Sequence, residues 1–341
     1  MSIEYNSNIK VLDCTLRDGG YINDWQFGKK NIVSIIDGLN KAGVDYIETG
    51  FIQDGKYSPE KTLYSDFEDI KHILPDDINF EKLVGMIAYG TYPAEKIPQA
   101  AKSFVKGIRL IFKKHQADKA LEYCKEIRDK GYKLFINPTF VDCYQDDEFL
   151  KVIDKINTIS PFCMTLVDSI GALDEKMLLH YYRIIENNLD KGIALGFHSH
   201  NNLKLSFSNA RKLMELNKTR DIIIDSSVFG MGRGAGNIST ELLVQYLNDN
   251  YSGEYDVSSV HKLIDEIIKP VYEKTPWGAT EPYHIAALNH CHPNYAKYLI
   301  EKSANSDVIN QVLKSIPQEN RAIYNSKIAD SIYSSVLNQT L

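Results

Sequence analysis

The strongest constraint on this chain is an alternation: eight short, β-branched runs, each followed by a longer amphipathic stretch. The runs predict strands over Ile9–Asp13, Tyr46–Thr49, Leu83–Ala88, Lys106–Ile111, Lys133–Asn137, Met164–Asp168, Ile193–His198 and Ile222–Ser226. Helices are expected over Asn31–Lys41, Glu60–His72, Ala94–Lys102, Ala117–Lys130, Asp146–Thr158, Glu175–Asn188 and Leu203–Asn217, with another opening at Ser239. Parallel strands need long crossovers, and helices supply them, so the pattern reads as βαβ units. Eight units in succession argue for a closed (β/α)8 barrel over an open doubly wound sheet. At 341 residues the chain can hold a barrel of roughly 250 residues and an appendage. The strand signal stops near Tyr251; Val257–Lys269, Pro282–Asn289, Asn294–Lys302, Ser306–Ser315 and Ile323–Leu337 read as helices. The expected division is a catalytic barrel over residues 1–250 and a helical C-terminal extension over 251–341.

Composition narrows the partners. The net charge is −6, and no run of Lys or Arg is long enough to track phosphates, which argues against nucleic acid. No apolar stretch approaches the ~20 residues of a membrane span, and residues 1–10 are too polar for a signal peptide. Five scattered cysteines without a C-x-x-C pair read as reduced thiols, and so as a cytoplasmic setting.

In such barrels the loops after the strands carry chemistry. Polar residues load that rim: Arg17, Asp18 and Tyr21 after the first strand, Glu48 at the second, Asn137 and Thr139 at the fifth, Asp168 and Ser169 at the sixth. His198 and His200 end the seventh. Residues i and i+2 on a strand share a face, so both imidazoles can meet one ion, although two structural histidines would fit the same spacing. Asp18, beside Gly19 and Gly20, offers an oxygen ligand or a simple turn residue. Two imidazoles and a carboxylate suit a divalent metal, Mn²⁺ favoured, with Co²⁺, Zn²⁺ and, less well, Mg²⁺ compatible. Arg17 is either the salt-bridge partner of an acidic neighbour or the cation that stabilises an enolate oxyanion. Glu48 reads equally as a structural partner of arginine and as a catalytic carboxylate, and Tyr21 as a proton donor or a packing residue.

Gly230-x-Gly232-x-x-Ala235 fits a relaxed dinucleotide fingerprint but follows the last strand, where that fingerprint does not belong. The loop instead holds backbone close to a substrate or makes a tight turn. His284, His290, Cys291 and His292 match no zinc module; Cys291-His-Pro reads as a helix break.

With these motifs in hand, the sequence resembles the HMG-CoA-lyase-like, or DRE-TIM, metallolyases from about Val11 to Asn250. The triad that names the group matches Asp18, Arg17 and Glu48; its H-x-H-N motif matches His198, His200 and Asn201; its glycine loop matches Gly230 to Asn237. The resemblance implies metal ligation by Asp18, His198 and His200, enolate stabilisation by Arg17, and Asn237 close to the metal. Within the group the chain looks most similar to the 4-hydroxy-2-oxovalerate (4-hydroxy-2-oxoacid) aldolases. Asp168-Ser-Ile-Gly-Ala172 resembles their sixth-strand segment, which makes Ser169, with Thr139, a candidate for the substrate carboxylate. Those aldolases carry an acid/base His where this chain has Tyr21. The synthases' Glu-Gln after Arg-Asp-Gly and the lyases' Cys in the glycine loop are also missing.

The implied activity is a metal-dependent aldolase acting beside the carbonyl of a 2-oxo acid such as pyruvate, with an aldehyde partner. Tyr21, Glu48 or water would relay the proton, in a homodimer or higher homo-oligomer. An acyl-CoA Claisen-type synthase or lyase is the alternative enzyme, and a catalytically silent barrel the alternative from another class.

Overall fold

The computed structural model of the protein describes residues 9–217 and 219–340. Residues 1–8, part of the segment read as too polar for a signal peptide, lie outside the described residues. The strands are β1 (Ile9–Asp13), β2 (Tyr46–Ile52), β3 (Leu63–Tyr64), β4 (Leu83–Ala88), β5 (Gly107–Phe112), β6 (Lys133–Pro138), β7 (Cys163–Asp168), β8 (Ala194–Ser199) and β9 (Ile222–Ser226). All pair in parallel; β1 meets β9 through Ile9↔Ile222 and β2 through Leu12↔Tyr46, which closes eight strands into a barrel. The two-residue β3 joins the end of β2 at Phe51↔Leu63.

Strand periodicity sorts the side chains. Leu12, Tyr46, Val84, Phe135, Cys163, Ala194 and Ile223 form an apolar layer inside the barrel. Their outward neighbours, among them Val11, Ile47, Leu134, Leu195 and Ile224, pack under the surrounding helices in the main core. Two residues along each strand from the inner layer, the same face carries Glu48, Arg109, Asn137, Thr165 and Asp225, with His198 one pair further on β8. A polar tier therefore lies directly above an apolar floor.

Two expected helices are corrected. Glu60–His72 instead holds β3 and a 3₁₀ segment, Phe67–Ile73, opened by a capping box at Asp66. Strand pairing to β2 captures Leu63 and Tyr64, and Asp66 starts the helical turn late. Ala94–Lys102 is two single 3₁₀ turns, Ala94–Lys96 and Ala100–Lys102. Pro98 divides them, because the residue before a proline avoids the α region and Ile97 is extended at ψ 119°.

Beyond the last strand, Val260, Leu263, Ile264, Ile267, Ile268 and Trp277 still belong to the main core. A second core then gathers Ala286, Tyr295, Leu299, Ile309, Val312, Leu313 and Ala329 from the later helices. Ile170 and Ala172, from the loop after β7, meet Ala287 and join the two. Among the described residues no helix is long and apolar enough to cross a membrane.

Candidate active site

After β1 the chain folds into one helical turn, Thr15–Asp18, fixed by Asp18 N–H to Cys14 O at 2.8 Å and by Asp13 accepting from Thr15 N–H at 2.9 Å. That turn brings Arg17 and Asp18 over the barrel axis beside the end of β8. Asp18 Oδ2 lies 3.9 Å from His198 Nε2 and 3.8 Å from His200 Nδ1. These separations are too long for hydrogen bonds, whereas ligands held about 2.0–2.2 Å from one ion sit roughly 3–4 Å apart. The three ligand atoms lie within 4.8 Å of one another, a possible metal site.

The surroundings fit an ion. His198 Nδ1 donates to Asp225 Oδ2 at 3.0 Å, so the Nε2 lone pair is the one turned toward Asp18. A carboxylate behind a histidine is the common second partner of a ligating imidazole. Burial pushes His200 down to about 3, which keeps its ring neutral and able to ligate. Burial alone would raise the Asp18 carboxyl, but His200, Arg17, His198 and Arg233 outweigh it and hold the group well below the usual carboxylate range. Among the described residues His200 Nδ1 and Asn237 Oδ1 are buried without a hydrogen-bond partner, a state that is costly unless something else meets them.

Arg17 is clamped. Its Nε donates to Glu48 Oε2 at 2.8 Å, its Nη1 lies 3.0 Å from Asp18 Oδ1, and its carbonyl accepts from Trp25 Nε1 at 2.8 Å. The same Glu48 oxygen accepts from Arg109 Nη1 at 3.1 Å, and Arg109 Nη2 donates to Asp225. A buried chain of alternating charge thus runs Arg17–Glu48–Arg109–Asp225 and ends on the His198 ring. Burial would raise Asp225, but Arg109 and the bond from His198 keep it ionised.

A cavity of about 500 Å³ opens above this tier. Arg17, Tyr21, Thr139, Ser169, His198 and His200 all reach its wall; Glu48 is fully buried behind Arg17 and does not. Tyr21 packs edge-on against Trp25, with ring centres 4.8 Å apart. Ser169 Oγ accepts from Phe140 N–H at 3.0 Å, which leaves its own hydrogen to donate, whereas Thr139 Oγ1 already donates to Phe112 O at 2.9 Å. Asp168 turns away and accepts from Ala172 N–H, Leu173 N–H and Ser199 Oγ. Asn237 Nδ2 donates to Asp18 Oδ2 at 2.6 Å. Gly232 makes that bond possible, since a Cβ there would stand 2.3 Å from Asn237 Nδ2 and 3.0 Å from Asp18 Oδ2.

Sequence reasoning missed Arg109, Asp225, Arg233 and His292. A charge in the middle of Ile108-Arg-Leu-Ile111 and another ending Ile222-Ile-Ile-Asp225 were readable as a buried pair, but which strands face each other is a property of the closed barrel. His292, read as part of a helix break, does start a helix and also reaches the cavity wall from the extension, as do Ile323 and Tyr324.

Fold and site together define a (β/α)8 barrel with an Asp-His-His cluster and an arginine at the C-terminal mouth. The chain belongs to the HMGL-like family, whose model matches residues 8–267. A 4-hydroxy-2-oxovalerate aldolase from Geobacillus thermodenitrificans is 25% identical over 270 residues, 78% of this chain and 77% of that one. The N-terminal domain of a candidate aldolase from Bacteroides vulgatus superposes with a TM-score of 0.73 at 27% identity, covering 88% of this chain and 99% of that one. An HMG-CoA lyase from Bacillus subtilis shares the fold at a TM-score of 0.64 and 15% identity, over 82% of this chain and 97% of that one.

Proposed function

We propose that the protein is a divalent-metal-dependent aldolase that makes or breaks a carbon–carbon bond beside the carbonyl of a 2-oxo acid such as pyruvate, with an aldehyde as partner. The observation that carries this reading is the convergence of Asp18, His198 and His200 beside the clamped Arg17, with both histidines and Arg17 on the wall of one cavity. A divalent ion held by the three, Mn²⁺ in this reading with Co²⁺, Zn²⁺ or Mg²⁺ compatible, supplies Lewis-acid polarisation of the ketone. The chain supplies the rest. With Nε and Nη1 engaged, Arg17 keeps Nη2 to donate to the oxygen that becomes an enolate. Glu48 acts as a positioning residue that holds Arg17. The Ser169 hydroxyl is free to donate to the substrate carboxylate, with Thr139 and Asn237 alongside. Tyr21 donates to the aldehyde-derived oxygen.

The barrel over 1–250 and the extension over 251–341 work as one unit in this reading, because the extension walls the cavity. A homo-oligomer in the cytoplasm completes it. The test is exchange of the pyruvate C3 protons in D₂O. Exchange should require added divalent ion, and His198→Ala should lose bound metal by elemental analysis while its circular dichroism stays native. Full exchange after exhaustive chelation, or unchanged metal content in His198→Ala, would sink the proposal.

A further inference from the structure

Four cations, Arg17, Arg109, Lys113 and Arg233, reach the cavity wall, and among the described residues no Asp or Glu does. Arg17 and Arg109 are balanced from behind by Glu48, Asp18 and Asp225. Arg233 has no carboxylate partner among the described residues. Its guanidinium lies 5.1 Å over the Tyr21 ring, its Nη2 is 3.4 Å from Ser169 O, and its Nε is buried without a hydrogen-bond partner among the described residues.

Opposite it stands His292. Its Nδ1 accepts from Asn294 N–H at 3.1 Å and caps the helix Pro293–Glu301. A ring nitrogen that accepts carries no proton, so Nε2 bears the hydrogen. That Nε2 faces Arg233 Nη1 at 3.3 Å. With Nδ1 accepting, this contact sets two N–H donors side by side on the cavity wall, where one oxygen on the cavity side can accept from both. Burial, reinforced by the charge on Arg233, keeps His292 neutral well below its ordinary pKa.

Both residues are held in place. The loop bearing Arg233 is pinned by Ala235 N–H to Asn202 Oδ1 at 2.8 Å, and a Cβ on Gly234 would touch Pro293 Cβ at 3.2 Å. His292 N–H donates to Arg321 O at 2.7 Å.

We propose that Arg233 and His292, with Lys113 at the rim, form a subsite for a substrate oxyanion, a carboxylate or phosphate oxygen bridging the two donors. This deepens the aldolase reading and rests on it for the identity of the substrates. The oxyanion can come from the 2-oxo acid itself or from an aldehyde that carries an acidic group.

The test uses the full chain and two variants. Arg233→Met keeps the stem without the charge, and His292→Asn keeps a capping side chain without Nε2. Calorimetric titration of the chelator-treated protein with inorganic phosphate and with malonate should show saturable binding. Binding should weaken about tenfold or more in Arg233→Met and severalfold in His292→Asn, with Arg233→Lys intermediate. In the metal-loaded protein, a rise in the KM of succinate semialdehyde but not of butanal assigns the oxyanion to the aldehyde. A rise in the KM of pyruvate for proton exchange assigns it to the 2-oxo acid. Wild-type protein that binds neither anion, or variants that bind both as wild type does, would overturn the subsite. Arg233-dependent anion binding in a protein that never exchanges pyruvate protons leaves the subsite standing and removes the aldolase.

Discussion

At the scale of single residues, Arg17 shows why geometry outranks charge. Its planar fork spans Glu48 on one side and Asp18 on the other, and a lysine at 17 has a single nitrogen for both. We predict that Arg17→Lys lowers turnover about a hundredfold or more, the usual cost of losing one oxyanion donor, with bound metal unchanged. Turnover within a few-fold of wild type would leave Arg17 a structural cation only. Glu48→Gln should also cost stability, about 3–5 kcal/mol in urea unfolding, because it leaves two buried arginines short of a countercharge. Asp168 gives a pH signature. Burial raises its carboxyl from 3.8 to about 7 against the hydrogen bonds from Ala172, Leu173 and Ser199. Between those values the native state binds more protons than the unfolded chain, so this contribution is full below pH 3.8 and fades as the pH rises through about 7. Asp168→Asn should remove a slope of at most about 1.4 kcal/mol per pH unit from that window. An unaltered slope in unfolding titrations would mean that Asp168 stays ionised throughout.

Among the elements, the glycine loop after β9 does most to shape the mouth. Gly236 sits at φ +78°, where a Cβ would fall 1.9 Å from Gly230 O, so only glycine lets this turn close. Gly232 has a different task, to leave room for the Asn237–Asp18 bond. Gly232→Ala should therefore weaken metal binding about tenfold or more with a small change in urea midpoint. Gly236→Ala should cost about 1–3 kcal/mol of stability first. Equal effects of both on metal affinity and stability would refute that division. The strands were legible because alternation along a buried barrel strand leaves a strong pattern; β1, β4 and β9 begin and end at the residues the sequence indicates. The Asp18–His198–His200 grouping was legible because it follows from two local facts, the i, i+2 spacing of His198 and His200 and a polar turn after β1. The short 3₁₀ segments were not, because Pro98 and the β3 pairing override an amphipathic period only a few residues long. Nor were Arg233 and His292, because they meet only when a loop of the barrel and a helix of the extension come together.

For the whole molecule, the two hydrophobic cores set which part fails first. The extension's core, centred on Leu299, Val312 and Leu313, is small and touches the barrel through Ile170, Ala172 and Ala287, through Phe140 under the His292 ring, and through His290 facing Asp142 at 3.6 Å. Arg321 ties that core internally, donating to Ile316, Asn289 and Lys314 carbonyls. Both tryptophans lie elsewhere: Trp277 belongs to the barrel's core, and Trp25 packs against Phe51 at the end of β2. Tryptophan fluorescence therefore reports the barrel, whereas far-ultraviolet dichroism also senses the extension's helices. Leu313 is fully buried, and truncating such a leucine costs about 2–5 kcal/mol through lost transfer energy and the cavity left behind. In Leu313→Ala the dichroism should lose a helical fraction at lower urea, and oxyanion binding should vanish with it, because His292 opens one of the helices of that core, Pro293–Glu301. The fluorescence midpoint should barely move. Fluorescence and dichroism shifting together by the same amount would mean that barrel and extension unfold as one cooperative unit. The extension would then be an integral wall of the barrel instead of a separately melting roof over its mouth.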